Sequence, residues 1–526
     1  MPTQIPFDLT QKGALDLDWR NDYRWPLPAS ALYGLHARLT EKYVTFVTSL
    51  EPDARDVALL GKLPSLGALV EAAYTVQAEG TEPYLTGPPE LSILRGKNVI
   101  DTIYQPSAGH HGKVGNLRHR TLRQIARTAS WSRAGTLLPN LLSPQAIALS
   151  HNRLMRDYIS IQGASVGFRH GAAYLEDITA QSPTQRSLPD TVDIDTLTDA
   201  FLDRVVTFND LDPNISERLH QLIRPTLKAT LQNAASTLSA LRSCTNLPKS
   251  IWSGTGAAYP ARAVGLEVLR RGGEAWRFDH GGTAALSSAH AAFAASETSV
   301  SSHVVMPTTQ IAENHMLKTA QRMVSAFRPC QTLGHTGDPS LDVGNLAFQR
   351  ATQTGRRRRV LYVSTAFYGF YQTSTPVLPG VAYMEWQMRL VEALQRLPIE
   401  LACKPHPEGL LRGKNLPTEK IARTLQVPFE EALNESDVLV MDIPASTTFS
   451  IALTTDRPIV FFDFGLLPFN DSVRDEIGKR CRILTPTYNA ANQPQIDPET
   501  LAEYVCGGDD TADPTFFRNL FLNDAT

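Results

Sequence analysis

Residues 399–463 decide the fold: IELACKPHPEGLLRGKNLPTEKIARTLQVPFEEALNESDVLVMDIPASTTFSIALTTDRPIVFFD. Short apolar runs at 399–403 and 436–442 have the length and composition of buried strands, and a turn and a helical pattern follow each. The order is strand, loop, helix, strand, turn, helix, strand. This alternation predicts a parallel sheet whose strands are joined by helices.

Two turns of this stretch suit an anionic ligand. Lys404 and His406 lie in KPHP, directly after the first strand, and Ser446, Thr447 and Thr448 lie in PASTT, directly after the second. In a parallel sheet both turns lie at the carboxyl edge, where open α/β sheets bind ligands. The second turn also opens a helix, whose free N–H groups and dipole favour a phosphate. A helix N-cap is a second interpretation of the three hydroxyls, and it is compatible with the first.

Composition narrows the class of protein. A chain of 526 residues is too long for one ordinary core, so two or more domains are expected. The net charge of −3 gives no reason to expect nucleic-acid binding. Five scattered cysteines without CxxC spacing, no signal-peptide pattern and no long apolar window predict a cytoplasmic protein.

The alternation of strands and helices begins at residue 247. Strands are predicted at 249–253 and 274–278, with a helix at 260–271 between them, and the second strand ends at Asp279 and His280. A second α/β unit starts near residue 360. The stretch 328–358 between the units is rich in glycine and proline, so it is the best boundary candidate. We therefore predict a domain over 1–335 with helical additions, a linker over 336–358 and a domain over 359–526.

Other features are less specific. A helix is predicted over 144–161, then a tight turn at Arg169 and His170, with Glu176 following. The basic, histidine-rich loop at 109–120 either meets an acidic substrate or is a solvated loop. The arginines at 356–359 are interpreted as a solvated approach to a strand. The chain lacks the fingerprints of dinucleotide oxidoreductases and P-loop NTPases. Its aspartates near 190–195 lie in a polar connection, so no metal site is predicted.

Together, KPHP followed by PASTT resembles the HP and serine-rich motifs of GT-B glycosyltransferases that use CMP-activated sugars. These include bacterial sialyltransferases, polysialyltransferases and capsule or lipopolysaccharide Kdo transferases. The layout also resembles that of CDP-glycerol glycerophosphotransferases. The segment AAYPARAVGLEVLRRGGEAWRFDHGG at 257–282 is similar to the end of the first domain in capsule-type transferases. The resemblance covers roughly residues 247–465, and it depends on the order of motifs that are weak one by one.

The resemblance implies a GT-B fold, in which two Rossmann-like domains face a central cleft. The second domain would hold the donor phosphate through His406 and the hydroxyls at 446–448. Lys404 would stabilise the charge on the departing CMP, and Glu408 either binds the donor or faces solvent. No metal and no other cofactor is implied.

The first domain would then carry the chemistry. The resemblance to retaining Kdo transferases implies Asp279 as a nucleophile that forms a glycosyl-enzyme. His280 or Glu176 would deprotonate the acceptor, and Arg169 and His170 would bind it. The expected partners are a nucleotide-sugar donor and a surface-polysaccharide or lipid-linked acceptor, with peripheral association at the membrane assembly machinery.

Two rival functions stay open. One is transfer of glycerol phosphate or polyol phosphate from a CDP donor, which needs no aspartate nucleophile at a sugar carbon. The other is a non-catalytic nucleotide-binding scaffold of polysaccharide assembly, which would bind CMP but turn over no donor.

Overall fold

The structure is a computed structural model. It describes residues 4–63, 65–97, 117–133, 135–180, 192–256, 258–314, 330–343, 356–370, 378–507 and 513–524. Most of the basic loop predicted at 109–120 lies outside these ranges, as does much of the predicted linker. In the described part of the chain, no helix is long and apolar enough to cross a membrane.

The first half of the chain builds a six-stranded parallel sheet. A separate parallel pair, β1 (Ile5–Pro6) and β2 (Leu85–Thr86), precedes it. The sheet has the spatial order β4-β3-β5-β6-β7-β8. Its strands are β3 (Ala146–Ala148), β4 (Val166–Phe168), β5 (Ser250–Ser253), β6 (Glu274–Phe278), β7 (His303–Met306) and β8 (Gln331–Gly334). The order reverses between β3 and β5, which defines a topological switch point.

The second half builds another six-stranded parallel sheet, with the order β11-β10-β9-β12-β13-β14. Its strands are β9 (Arg358–Val363), β10 (Ile399–Lys404), β11 (Arg423–Thr424), β12 (Val438–Met441), β13 (Ile459–Phe462) and β14 (Cys481–Leu484). Numbered within the sheet, the order is 3-2-1-4-5-6, that of the Rossmann fold. The predicted α/β class with two Rossmann-like domains, as in GT-B proteins, is therefore confirmed.

Helices surround both sheets. In the first half they are Ala29–Thr48, Pro52–Leu60, Leu66–Glu79, Pro89–Leu94, Leu117–Ala129, Leu137–Leu142, Arg153–Gln162, Gly171–Ala180, Ile194–Phe201, Pro213–Ser243, Tyr259–Arg270, Thr283–Leu286, His290–Phe293 and Thr309–Ala312. In the second half they are Gly380–Gln395, Phe429–Ala432, Thr447–Leu453, Asp471–Arg480, Pro498–Cys506 and Thr515–Leu522. Short 3-10 turns (Asp18–Asp22, Pro417–Lys420, Leu433–Glu435) and π turns (Leu202–Val206, Ala294–Thr298) complete the set.

The local sequence explains the central elements. Val438–Met441 is apolar throughout and wholly buried, as expected for a central strand with helices on both faces. Its register aligns Val438 with Val360 of β9 and Leu439 with Ile459 of β13. The helix Tyr259–Arg270 has a proline in its first turn, where a missing N–H costs no hydrogen bond. These elements fix the carboxyl edges from which the polar turns extend.

The helix predicted over 144–161 is wrong in its first half. Ala146–Ala148 forms β3 and pairs with both β4 and β5. The helix begins only at Arg153, because the Asn152 side chain accepts a hydrogen bond from Met155 N (2.8 Å) and caps it. A short apolar run such as AIAL has no periodicity that distinguishes a buried strand from a helix.

The chain connects its two halves at both ends. Near the carboxyl end, Thr308 Oγ1 donates to Leu520 O (2.7 Å) and Asp338 N donates to Phe521 O (2.9 Å). The helix Thr515–Leu522 therefore packs against the first sheet. Near the amino end, Asn492 Nδ2 donates to Trp25 O (2.7 Å), so residues preceding the first sheet contact the second half.

Candidate active site

The second sheet reverses its strand order between β9 and β12, which is where such sheets bind ligands. The PASTT turn leaves the carboxyl end of β12 and opens the helix Thr447–Leu453. The KPHP turn leaves β10, the next strand beyond β9. The structure therefore brings both predicted anion-binding turns to one edge of the sheet, beside its switch point.

The PASTT turn is a capped helix start. Ser446 Oγ accepts a hydrogen bond from Phe449 N (3.1 Å) and contacts Thr448 Oγ1 at 2.9 Å. The N-cap interpretation of Ser446 is thus correct, and it leaves the first-turn N–H groups of Thr447 and Thr448 without intrahelical acceptors. Because the helix has only seven residues, its dipole is weak, and N–H and hydroxyl donors contribute more to anion binding than the dipole does.

Lys404 and His406, in the turn after β10, supply a cationic group and an imidazole at the same edge of the sheet. Lys404 is buried, and its Nζ donates to Pro405 O at 2.9 Å. Burial lowers the pKa of Lys404, and Glu430 opposes that shift. His406 is half-buried, and its Nδ1 accepts from Glu408 N at 3.1 Å, which directs Nε2 away from the backbone of its own turn. Burial also lowers the pKa of His406.

Glu408 lies on the solvent side of the same turn. Its carboxylate accepts from Arg412 Nη1 at 2.7 Å, and both side chains are well exposed. This pairing fits the interpretation that Glu408 faces solvent better than it fits a role in donor binding.

Asp442 is the most highly coordinated carboxylate near the switch point. It is 1% exposed and accepts hydrogen bonds from Tyr362 OH (2.6 Å), Tyr383 OH (2.9 Å) and Trp386 Nε1 (3.1 Å). Burial raises the pKa of Asp442 to about 6, and the three donors oppose that shift. Tyr383 OH also accepts from Thr365 N at 2.9 Å. Asp442 therefore ties β12 to the end of β9 and fixes the start of the PASTT turn.

Asp279 occupies the carboxyl end of β6 in the first sheet. It is 6% exposed, and its Oδ2 accepts from Gly282 N at 2.9 Å. Burial raises the pKa of Asp279 to about 7, with a further contribution from the negative charge of Asp338. Near neutral pH this carboxyl group is thus divided between its protonated and ionised forms. Such a group can give up or take a proton at little cost.

Two residues near Asp279 were not predicted as part of a site. Asp338 follows β8, is buried, and accepts from Ser340 N (2.8 Å) and Ser340 Oγ (2.7 Å). Asn152 Nδ2 donates to the carbonyl oxygen of Asp279 at 2.7 Å, so the asparagine that caps one helix also holds the β6 turn. Polar residues in the turns after short strands were the available signal, but neither short strand was recognised in the sequence.

The candidate residues of the two sheets meet at Gly281. Ser450 Oγ donates to Gly281 O at 2.6 Å, which joins the turn after β6 to the helix Thr447–Leu453. Gly281 has a φ of +77°, and a Cβ atom there would lie 2.4 Å from Thr447 Oγ1. Only glycine permits so close an approach. Asp279 and the PASTT turn therefore border the same region between the domains.

The remaining predicted site residues differ in how close they lie to Asp279. His280 is exposed and follows Asp279 directly. Arg169 and His170 follow β4, which lies three strands from β6, and this separates them from Asp279 by roughly 14 Å. Glu176 is exposed, more than a turn into the helix Gly171–Ala180, which leads away from the carboxyl edge. The structure brings His280 to Asp279, but it does not bring Glu176, Arg169 or His170 there.

Among the described residues, no group of three or more histidine, cysteine, aspartate or glutamate side chains could hold a metal ion. No family model matches this chain, and no curated protein is similar to it. Among solved structures, the glycosyltransferase SnogD from Streptomyces nogalater matches 68% of this chain and 89% of its own length. The identity is 12% and the TM-score 0.29, a likeness too remote to support an argument about function.

Proposed function

We propose that the protein is a glycosyltransferase that takes a sugar from a nucleotide-activated donor, most specifically a CMP-sugar such as CMP-Kdo or a related nonulosonate. The observation that carries the proposal is the meeting at Gly281 of two turns: one follows the buried Asp279, whose pKa is raised, and the other is rich in hydrogen-bond donors for an anion. Such a pairing suits a reaction in which a phosphate leaves one side of a carbon centre while a carboxylate acts on the other. The acceptor is a surface-polysaccharide or lipid-linked glycan.

The donor phosphate binds at the PASTT turn. The N–H groups of Thr447 and Thr448, with nearby hydroxyls, donate hydrogen bonds to its oxygens, and Lys404 and His406 stabilise the negative charge that grows as the nucleotide leaves. No step requires a metal ion, because the leaving nucleotide is a good leaving group when its phosphate is stabilised in this way. Asp442 positions the turn and does not touch the substrate.

Asp279 acts on the sugar. Its carboxylate forms a bond to the anomeric carbon as the bond from that carbon to the phosphate oxygen breaks, and the nucleotide leaves with the electron pair. The acceptor hydroxyl then displaces the carboxylate while His280 takes its proton. The environment that raises the pKa of Asp279 also makes its ionised form a stronger nucleophile, because burial and Asp338 destabilise the charge that the reaction removes.

A thermal-shift screen of CMP, CDP, UDP, GDP and ADP tests the donor. Selective stabilisation by CMP supports the proposal, and a preference for UDP or GDP contradicts it. Donor turnover is then measured with CMP-sugars in the presence of EDTA. Activity should survive EDTA, and a complete loss that metal restores would contradict metal independence.

The same assays distinguish the two rivals. Transfer of polyol phosphate from a CDP donor that persists in Asp279→Asn would favour the phosphotransferase, because that reaction uses no carboxylate nucleophile. Tight CMP binding without turnover of any activated sugar would favour the scaffold.

A further inference from the structure

Two neighbouring helices of the first domain carry an unusual number of exposed aliphatic side chains. On Leu117–Ala129, Leu122 is 64% and Ile125 is 41% exposed, and on Leu137–Leu142, Leu138 is 67% and Leu142 is 77% exposed. They are four of the seven large hydrophobic side chains exposed in the described part of the chain. We call these four side chains the aliphatic face. Scattered single leucines need no explanation, but a cluster of this kind marks an interaction surface.

The aliphatic face is held firmly on the outer edge of the first sheet. Trp131, between the two helices, is buried and donates through Nε1 to Val166 O of β4 (2.9 Å). Thr128 Oγ1 accepts from Phe168 N at 3.0 Å, so it covers the edge of β4. Trp131 and Thr128 thus lie on the side of the helices that packs against the sheet. The leucines extend from a second side that the domain does not cover.

The charge of this stretch of the sequence is of one sign. Between Asp101 and Asp157 the sequence has no acidic residue but eight lysines and arginines, although the whole chain has a net charge of −3. Arg123 and Arg127 are exposed one turn apart on the same helix as Leu122 and Ile125. A basic, amphipathic surface helix with exposed aliphatic residues is the pattern of a protein that lies on a lipid bilayer.

We propose that the aliphatic face docks on an anionic membrane surface. The four side chains insert among the lipid chains at the interface, and the arginines contact the acidic headgroups. Arginine side chains are long enough to keep the guanidinium at the headgroups while their stems lie along apolar surface. A nucleic acid or an acidic polysaccharide would match the arginines but would leave the leucines exposed. This inference is independent of the donor proposed above.

Vesicle co-sedimentation of the full chain tests the proposal. The protein is mixed with vesicles of phosphatidylcholine alone, or with about a third phosphatidylglycerol, at low and high salt. We expect binding to the anionic vesicles, weakened by salt. Leu138→Ser/Leu142→Ser and Arg123→Glu/Arg127→Glu should each reduce the partition coefficient about tenfold or more. All four residues are exposed, and circular dichroism checks that both variants fold.

Matched controls come from the second domain. Val427→Ser removes another exposed aliphatic residue, and Arg357→Glu/Arg396→Glu makes the same charge change on exposed arginines, so both should bind as the wild type does. Equal binding to neutral and anionic vesicles would overturn the proposal. So would full retention by the leucine variant, because purely electrostatic binding would then explain the result. Equally weak binding by the control variants would show that no particular face is responsible, which also overturns it.

Discussion

Asp279 and Asp442 occupy equivalent places in the two sheets, but their surroundings differ. Each directly follows the fourth strand of its own sheet in chain order, and each is buried, with 6% and 1% of its surface exposed. Asp442 accepts hydrogen bonds from three side chains. Asp279 accepts a backbone N–H from Gly282 and lies near a second acid, Asp338.

The difference shows how one position of a fold can be used for structure or for chemistry. Three donors fix the Asp442 carboxylate in one geometry, so it braces the switch point. Asp279 has fewer side-chain donors, and a repelling neighbour, Asp338, adds to burial in raising its pKa. A carboxyl group that is balanced between two protonation states and borders the interdomain region is suited to reaction.

The same substitution in both places should therefore have opposite consequences. Asp279→Asn should reduce donor turnover by about 10³-fold or more, because the amide can neither attack nor exchange a proton. Nucleotide binding should change little, and the variant should be at least as stable as the wild type at pH 7, since the amide carries no buried charge. Steady-state turnover and a nucleotide titration measure the two effects. Turnover within tenfold of the wild type would remove Asp279 from the chemistry.

Stability as a function of pH sharpens the comparison. The pKa of Asp279 is about 7 when folded and about 3.8 when unfolded, so the folded state holds more protons within this window. The wild type should therefore lose stability relative to Asp279→Asn as the pH rises from about 4 to about 7, by at most about 1.4 kcal/mol per pH unit. Above pH 7 the difference should be constant. Urea unfolding of both proteins at several pH values measures this difference in the free energy of unfolding. A difference that does not change with pH would show that the pKa of Asp279 is not raised in the folded state.

Asp442→Asn should behave in the other way. An amide offers one acceptor oxygen to the three donors and turns its own NH₂ group towards one of them, so buried donors lose their partners. We expect a loss of about 2–3 kcal/mol in the free energy of unfolding, measured by urea denaturation. Tyr362→Phe, which removes one donor, should lose about 1 kcal/mol. Equal stability of Asp442→Asn and the wild type would mean that the network does not brace the switch point.

Much of the second sheet was predictable from the sequence, because its strands are short apolar runs closed by distinctive turns. Residues 399–403 of the second sheet, and also 274–278 of the first, were placed within a residue of the observed strands. Two strands of the first sheet were harder. Ala146–Ala148 and Gln331–Gly334 are short, and their burial depends on neighbours far away in the sequence. The segment 144–161 was therefore interpreted as a helix, and β8 was absorbed into a predicted boundary.

The sequence predicts which residues lie at the ends of strands, but it does not predict which of them come together in a site. Strand ends identified Asp279, Lys404 and the PASTT turn, since a parallel sheet sends all its strand ends to one edge. Which of these side chains lie close together depends on strand order, which local patterns do not encode. Glu176 was included because it follows a recognised turn, but it lies away from the edge. Asp338 was missed because it follows an unrecognised strand, although it lies near Asp279.

The smallest expected effect concerns nucleotide binding by the second domain. Lys404 and Glu408 are two charged residues of the same turn, one buried and one exposed. Lys404→Met should weaken nucleotide binding about tenfold, because it removes a buried cation beside the PASTT turn. It should not lower stability, since burial already disfavours the charged lysine, as its lowered pKa indicates. Glu408→Gln is the matched control: its carboxylate is exposed and paired with Arg412, so affinity should stay within twofold. Isothermal titration of both variants decides whether the anion is held by the buried lysine, and equal affinities would place the phosphate elsewhere on this edge.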